Sequence, residues 1–222
     1  MTFMESIYLT PVHELLREQV ARFVAREVEP HALAWEEAGH TPREVLRKLG
    51  AAGLLGLMYD GAYGGGEADA LTNLVFAEAL SQSTFGGFII TVLVHTDMAS
   101  PHLHHAGTAA QKERWLPGIT AGETITAVAI TEPGAGSDVA GIRTHATRVD
   151  GGYVVNGSKT FITGGVRADM LVMAVKTTPE GGHHGISFLI VERHEDDGRS
   201  GIVEGLDQPA DHERPSPRAQ RR

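Results

Sequence analysis

The chain has no cysteine, no long apolar run and no cluster of lysine or arginine. The absence of cysteine excludes disulfides, thiolate metal ligands and a cysteine nucleophile within these 222 residues. The longest apolar stretch, residues 85–94, is interrupted by glycine and threonine and is shorter than the roughly 20 residues that a transmembrane helix needs. The formal charge is -9, with 19 Lys and Arg against 28 Asp and Glu, which argues against a nucleic-acid surface.

The beginning of the chain also lacks the features of a secretory signal. It shows no basic segment followed by an apolar core and a small-residue cleavage site. The sequence therefore favours a cytoplasmic protein, although the missing cysteines alone do not identify the compartment. A chain of this length buries roughly 70% of its unfolded surface, enough for one large domain or two small ones.

The first half of the sequence has helical periodicity, from residue 10 to about residue 122. Three patterns of capping residues predict helix starts: Thr10-Pro11, Thr41-Pro42-Arg43-Glu44, and Thr108 with Gln111. Apolar content predicts two more buried helices over residues 69–80 and 85–100. Three consecutive glycines, residues 64–66, predict a flexible connection before the first of these.

After Gly122 the apolar period falls towards two, which is typical of strands. The predicted strands are residues 124–131, 141–149, 153–155, 170–176 and 186–191. They predict an antiparallel sheet or a small barrel. Residues 193–222 are rich in charge, and from Asp207 onward the aliphatic side chains are only Ala210 and Ala219, so this segment predicts a disordered tail.

A glycine-rich loop follows the first predicted strand, at residues 130–138. Pro133 fixes φ, and Gly134 and Gly136 permit positive φ, so successive backbone amides can point into one concavity. Thr131 and Ser137 add hydroxyl donors. The alternative is an ordinary Pro-Gly turn. A Rossmann fingerprint is excluded because its glycines must lie between a strand and a helix, whereas more strand follows here.

A second loop, residues 156–165, contains an Asn-Gly pair, two further glycines, hydroxyl side chains and Phe161. The Asn-Gly pair taken alone is equally consistent with a plain hairpin. Two loops of this kind on neighbouring strands can hold a flat heteroaromatic ring between them, which is the functional hypothesis that the residues themselves support.

Other candidate sites are weaker. Histidines at 102, 104 and 105 and at 183 and 184 could be drawn as metal ligands, but no acidic partner stands at ligand spacing, so solvated or core-edge histidines are the better interpretation. The glycine run at residues 61–66 lacks the GK[ST] ending of a phosphate loop, and a linker is the better interpretation.

Four segments together resemble the acyl-CoA dehydrogenase family: GTAAQKERWL (107–116), AVAITEPGAGSD (127–138), VAGIRT (139–144) and YVVNGSKTFITGG (153–165). The resemblance extends over residues 9–192. It implies an α+β architecture with an N-terminal all-α domain at 1–123 and a small β domain at 124–192, before the divergent tail at 193–222. It also implies a C-terminal helical bundle, which we expect to be missing from this chain through truncation or a reading-frame shift.

The resemblance implies FAD as cofactor, bound between the β domain and that bundle. The residues that it assigns to FAD are Val128, Ala129, Ile130, Thr131, Gly136, Ser137, Phe161, Ile162 and Thr163. Ser137 is also expected near the acyl-CoA substrate. Phe161 matches the aromatic position beside the isoalloxazine ring, where some members carry tryptophan, and Thr163 matches the hydroxyl near flavin N5.

The reaction implied by the resemblance is desaturation of a fatty acyl-CoA to its trans-2-enoyl product. A glutamate removes the α-proton, the β-hydrogen moves to flavin N5 as hydride, and electrons leave through an electron-transfer flavoprotein. That glutamate is expected beyond this chain, in a homo-oligomeric full-length form, whereas Glu132 is interpreted as a turn-stabilising carboxylate. The alternatives are a related flavin oxidase or monooxygenase on the same scaffold, and a non-catalytic or remnant fragment.

Overall fold

The computed structural model describes residues 8–179, 182–193 and 200–205. The α-helices in these ranges are α1 Pro11–Phe23, α2 Ala32–Ala38, α3 Arg43–Ala51, α4 Ala70–Leu80, α5 Gly86–Leu93, α6 Ser100–Ala106 and α7 Ala109–Thr120. Two π-helical turns, Val24–Val28 and Val94–Ala99, extend α1 and join α5 to α6. None of the described helices combines the length and apolar character needed to cross a membrane.

Capping chemistry explains where several helices begin. At α7 the amide of Gln111 donates to Thr108 Oγ1 over 3.2 Å, and the amide of Thr108 donates to Gln111 Oε1 over 3.0 Å, which confirms the predicted capping box. Asp69 caps α4 by accepting from the amide of Thr72 over 2.8 Å. Pro11 is the first residue of α1, as the sequence predicts.

The predicted cap at Thr41 is wrong. The helix α3 begins at Arg43, and Pro42 takes the capping position with an extended backbone at φ -63° and ψ 147°. Thr41 is buried instead, with its hydroxyl 3.5 Å from the carbonyl oxygen of Gly87. The packing of this segment against α5 therefore overrides the local capping pattern.

The three glycines before α4 are closely packed, which differs from the flexible connection that the sequence predicts. A side chain at Gly65 would place its Cβ 2.1 Å from the carbonyl oxygen of Tyr59. The amide of Gly66 donates to the carbonyl of Gly56 over 3.2 Å. Glycine is needed here because two backbone segments approach each other directly.

The strands are β1 Thr126–Ala129, β2 His145–Val149, β3 Gly152–Asn156, β4 Met170–Lys176, β5 Ile186–Arg193 and β6 Ser200–Gly205. Their order is β3-β2-β4-β5-β6, with β1 also paired to β4. The pairs β2/β3, β4/β5 and β5/β6 are antiparallel. Because β3 also lies close to β6, the sheet curls towards a barrel.

Two strand pairs are parallel, so the prediction of an antiparallel sheet is wrong at β4. Thr126 of β1 pairs with Met170, and His145 of β2 pairs with Lys176 at the other end of β4. Both β1 and β2 run in the direction of β4 because residues 130–144 form a long loop between them, not a hairpin. The helical domain with a small sheet is otherwise confirmed, and the sheet is mixed.

The tail predicted at 193–222 contains structure at its start. Arg193 ends β5, and residues 200–205 form β6 against it. Ile202 and Val203 supply two adjacent β-branched residues, which favour a strand. The remaining parts of the tail prediction, residues 194–199 and 206–222, lie outside the described residues.

The apolar core continues from the helices into the sheet. One large cluster lies among the helices and includes Leu46, Phe76 and Phe88. A second cluster packs residues of α6 and α7 against β4 and β5: Leu103, Trp115, Leu116, Ile119, Met170, Val172 and Ile190. The sheet and its loops are therefore held on a fixed helical support.

Candidate functional site

The two loops predicted to act together lie side by side. The first loop, residues 130–144, leaves β1, and the second, residues 157–169, connects β3 to β4. The amide of Thr160 donates a hydrogen bond to the carbonyl oxygen of Thr131 over 2.9 Å. The fold therefore brings together segments that are separated by about 30 positions in the sequence.

The first loop turns tightly after β1. The amide of Glu132 donates to the carbonyl of Ala135 over 2.9 Å, and the amide of Ala135 donates back to the carbonyl of Glu132 over 3.1 Å. A Cβ built at Gly134 or Gly136 would meet no atom within 4 Å, so these glycines face open space. The outer surface of the turn is accessible backbone, which an acceptor group can approach.

Several donors in the two loops have no partner in the part of the chain that the structure describes. These are the hydroxyls of Thr131, Ser137 and Thr163 and the amides of Gly136 and Ser137. Thr131 and Thr163 are half-buried, whereas Gly136 and Ser137 are exposed. Free donors on two adjacent loops are suited to hold a polar, acceptor-rich ligand.

Phe161 is displayed at the edge of the second loop. Its residue is 92% exposed, and its backbone has a φ of 56°. A non-glycine residue rarely adopts this left-handed conformation, and such strain is found mainly at functional sites. Val166, on the same loop, is 81% exposed, so this edge presents apolar surface that the described residues do not cover.

A buried ion pair joins the loops from beneath. Lys159 Nζ donates to Glu132 Oε1 over 2.8 Å and to the carbonyl oxygen of Ile130 over 2.8 Å. Glu132 Oε2 accepts from the amide of Arg143 over 2.6 Å, and Oε1 accepts from the amide of Thr144 over 3.0 Å. The carboxylate thus connects the first turn to the second loop and to the chain just before β2.

The environment of Glu132 keeps this carboxylate ionised. Burial alone would raise its pKa, but the hydrogen bond from Lys159, the neighbouring Thr144 side chain and the amides of Arg143 and Thr144 outweigh it and lower the pKa to about 2. Both carboxylate oxygens are occupied by these donors. Glu132 is therefore unsuited to take a proton from a substrate at neutral pH.

A cavity of about 420 Å³ opens beside the first turn. Its lining residues are Glu132, Pro133, Gly134, Gly141, Arg143, Thr144, His145, Asn156, Gly157 and Ser158. None of the nine residues assigned to the cofactor lines it. The Thr144 side chain is buried, and Gly157 packs so closely on it that a Cβ there would lie 2.3 Å from Thr144 Oγ1.

The predicted cofactor residues are distributed along both loops. Val128 and Ala129 end β1, Ala129 being buried and Val128 half-buried. Ile130 and Ile162 are half-buried at the loops' bases, and the carbonyl of Ile162 accepts from the amide of Gly165 over 2.9 Å. The hydrogen bond between Thr131 and Thr160 brings the predicted residues of the first loop beside those of the second.

Lys159 and the amides of Arg143 and Thr144 were not assigned to the site by sequence reasoning. Lys159 lies inside the quoted motif, but a lysine after Asn-Gly-Ser is typical of an exposed turn. No local pattern predicts its partner, Glu132, which lies 27 positions earlier.

The histidines of α6 pack against aromatic rings, whereas His183 and His184 lie in a turn that contacts residues 139–141 of the first loop. The ring of His102 packs against Phe188 at 4.5 Å, and the ring of His104 stacks on Tyr59 at 4.6 Å. These contacts place both rings where α6 meets its neighbours.

The chain combines a helical domain, packed on a small mixed sheet, with two hydroxyl-bearing loops that are in contact. The sequence models of the acyl-CoA dehydrogenase N-terminal domain and middle domain match residues 10–123 and 127–206. The chain belongs to the acyl-CoA dehydrogenase family.

Individual relatives agree with this assignment. The chain is 41% identical over 197 residues to the mouse (Mus musculus) mitochondrial long-chain specific acyl-CoA dehydrogenase, an alignment that covers 87% of this chain and 44% of the mouse protein. The chain therefore spans less than half of that relative's length.

Two solved structures show the same fold. An acyl-CoA dehydrogenase from Geobacillus kaustophilus superposes with a TM-score of 0.81 at 38% identity, covering 91% of this chain and 57% of that one. An FAD complex of PigA superposes with a TM-score of 0.80 at 28% identity, covering 88% and 50% respectively.

Proposed function

We propose that this chain forms the helical and sheet part of an FAD-dependent acyl-CoA dehydrogenase that converts a fatty acyl-CoA to its trans-2-enoyl product. The observation that carries the proposal is the hydrogen bond from the Thr160 amide to the Thr131 carbonyl, which sets two donor-bearing loops side by side. Membership of the family and the FAD complex among the structural neighbours support it.

The residues present fit FAD. The flavin ring and the pyrophosphate offer many acceptor atoms, and the free hydroxyls and amides of the two loops supply matching donors. The exposed ring of Phe161 offers an apolar face for a flat aromatic group. The residues proposed to hold FAD are Val128, Ala129, Ile130, Thr131, Gly136, Ser137, Phe161, Ile162 and Thr163.

When bound, FAD supplies the acceptor for the hydride that leaves the substrate. The chain's own residues would bind and orient FAD: Thr131 and Thr163 offer hydroxyl donors, the exposed residues Gly136 and Ser137 offer backbone amides, and Phe161 would shield one side from water. Ser137 is also proposed to contact the acyl-CoA. Glu132 is not proposed as the base, because its oxygens are fully engaged.

The remaining assignments are proposals that rest on the family. We propose an electron-transfer flavoprotein as the electron acceptor and a homo-oligomeric full-length form. A cytoplasmic location is a separate proposal, which rests on the sequence and not on the family. The domain division is proposed at residues 123/124, and the middle domain is extended here beyond residue 192 to include β6, since that strand pairs with β5.

The cofactor assignment is tested by titrating the purified chain with FAD while flavin fluorescence and visible circular dichroism are recorded. We expect saturable quenching and an induced dichroic band, and about threefold to tenfold weaker binding in Thr163→Ala, which removes one hydrogen-bond donor. Thr147→Ala, an exposed hydroxyl on β2, is the matched control and leaves affinity unchanged. An absence of saturable binding in the unsubstituted chain contradicts the proposal and favours a non-catalytic fragment.

The reaction is tested in a full-length form that includes the C-terminal bundle, with acyl-CoA substrates of several chain lengths. Reduction of an artificial electron-accepting dye, together with enoyl-CoA as product, is the expected result. Oxygen consumption or a hydroxylated product would select the oxidase or monooxygenase alternative.

A further inference from the structure

We infer that Glu132 and Lys159 are a positioning pair, which holds the two loops at the separation that the proposed flavin site requires. The inference rests on the proposed function. Neither residue is among those proposed to hold FAD. Both are proposed to position residues that are: Ile130, Thr131 and the segment 161–163.

The hydrogen bonds of this pair connect the two loops of the proposed flavin site. Lys159, on the second loop, donates to the carbonyl of Ile130 at the end of β1 and to the carboxylate of Glu132 in the first turn. Glu132 accepts from the amides of Arg143 and Thr144 at the approach to β2. One ion pair therefore connects the second loop to both ends of the first.

The contacts are also adjacent to the predicted cofactor residues. Ile130, which accepts from Lys159, is followed by Thr131, which accepts from the amide of Thr160. Lys159 and Thr160 immediately precede Phe161. A shift of Lys159 would therefore move the start of the 161–163 segment relative to Thr131.

Burial distinguishes this pair from the ion pairs on the surface. The side chains of Lys159 and Glu132 are 7% and 6% exposed, whereas those of Lys48 and Glu27 in another pair are 57% and 27% exposed. Burial removes water from both charges, and this cost offsets their attraction, so a buried ion pair adds little to stability. Charge-assisted hydrogen bonds are short and directional, so this pair fixes distances between the segments it joins.

The experiment compares Lys159→Met, Glu132→Gln and the double variant with the unsubstituted chain. Each single variant leaves an uncompensated buried group, so we expect a lower melting temperature and at least tenfold weaker FAD binding, about the effect of losing one hydrogen bond to a charged group. In the double variant the melting temperature recovers because no unpaired charge remains. FAD affinity does not recover, because the tie from Lys159 to Ile130 is still absent.

Two further measurements isolate the positioning role. Hydrogen exchange of the Thr160 amide reports the contact between the loops without FAD, and we expect faster exchange in all three variants. The visible dichroism of bound flavin reports the ring's surroundings and is expected to change in the variants at saturating FAD. Lys48→Met, in the exposed pair, is the control and should alter neither measurement.

The outcomes separate this inference from the proposed function. Recovery of both stability and FAD affinity in the double variant overturns the positioning role and leaves a purely structural one. Unchanged affinity in Lys159→Met, with FAD binding intact in the unsubstituted chain, overturns the inference alone. Failure of the unsubstituted chain to bind FAD overturns the proposed function, and the positioning inference with it.

Discussion

The helical region and the two loops are held together by different kinds of interaction. Among the helices, large apolar side chains such as Leu46, Phe76 and Phe88 are fully buried. Beneath the loops, the central contact is between two charged side chains, Glu132 and Lys159. Apolar burial stabilises without specifying direction, whereas charged hydrogen bonds specify distance at a cost in hydration. The fold thus separates global stability from the placement of the site.

The largest expected effect is the loss of stability caused by a cavity in the helical core. It tests whether global stability comes from apolar burial among the helices. Phe88→Ala removes a fully buried ring, and we expect a loss of about 3–5 kcal/mol in the free energy of unfolding. Urea unfolding followed by circular dichroism measures it. Leu33→Ala, at a residue that is 71% exposed, is the control and should change stability by less than about 0.5 kcal/mol. Equal losses in both variants would contradict the assigned core.

The second prediction concerns His95, a buried polar group that joins the helices to the sheet. Its Nδ1 accepts from the amide of Thr126 over 3.2 Å, and its Nε2 lies 3.1 Å from the carbonyl of Ile119, so the neutral ring with a proton on Nε2 satisfies both contacts. Burial, the largest influence, lowers its pKa from 6.5 to about 4.

Stability should therefore depend on pH through this residue. Above pH 6.5 the ring is neutral in both states and its contribution is complete. As pH falls from 6.5 to 4, the unfolded chain binds the proton first, so about 3 kcal/mol is lost. Urea unfolding at several pH values should show this loss, and His95→Gln should remove it from the pH dependence. An unchanged slope in the variant would falsify the assignment.

The smallest effect is expected at a helix start. Thr108→Ala removes the side-chain oxygen that accepts from the Gln111 amide, and the expected loss is about 1 kcal/mol. Thermal unfolding of Thr108→Ala beside Thr108→Ser checks it. The serine variant keeps the hydroxyl and should retain most of the stability; a loss as large as that of the alanine variant would mean that the cap contributes little.

Sequence reasoning located the elements whose causes are local. The cap at Thr108 and the strand over residues 170–176 depend on neighbouring residues and were found directly. The cap at Thr41 failed because contact with α5 decides its conformation. Parallel pairing of β1 with β4 was missed because it joins segments about 40 residues apart, and periodicity carries no information on strand direction.

The candidate site was predictable to a similar extent. Glycines and hydroxyls identified both loops. The interpretation of Glu132 as a turn-stabilising carboxylate did not anticipate its partners, which are Lys159 and the amides of Arg143 and Thr144 beyond the turn. Lys159 was not assigned, since lysine is usually exposed and only the fold places it against Glu132. The strained backbone of Phe161 is likewise a property of the folded loop that composition does not reveal.

The shared edge of β4 has a consequence for how related chains can diverge. Residues 130–144 leave the sheet after β1 and return as β2 to the same edge of the same strand. Residues inserted into this loop would extend it away from the sheet, and the pairing of β1 and β2 with β4 would not change. Insertions in this loop can therefore reshape the cavity beside the first turn without rebuilding the sheet.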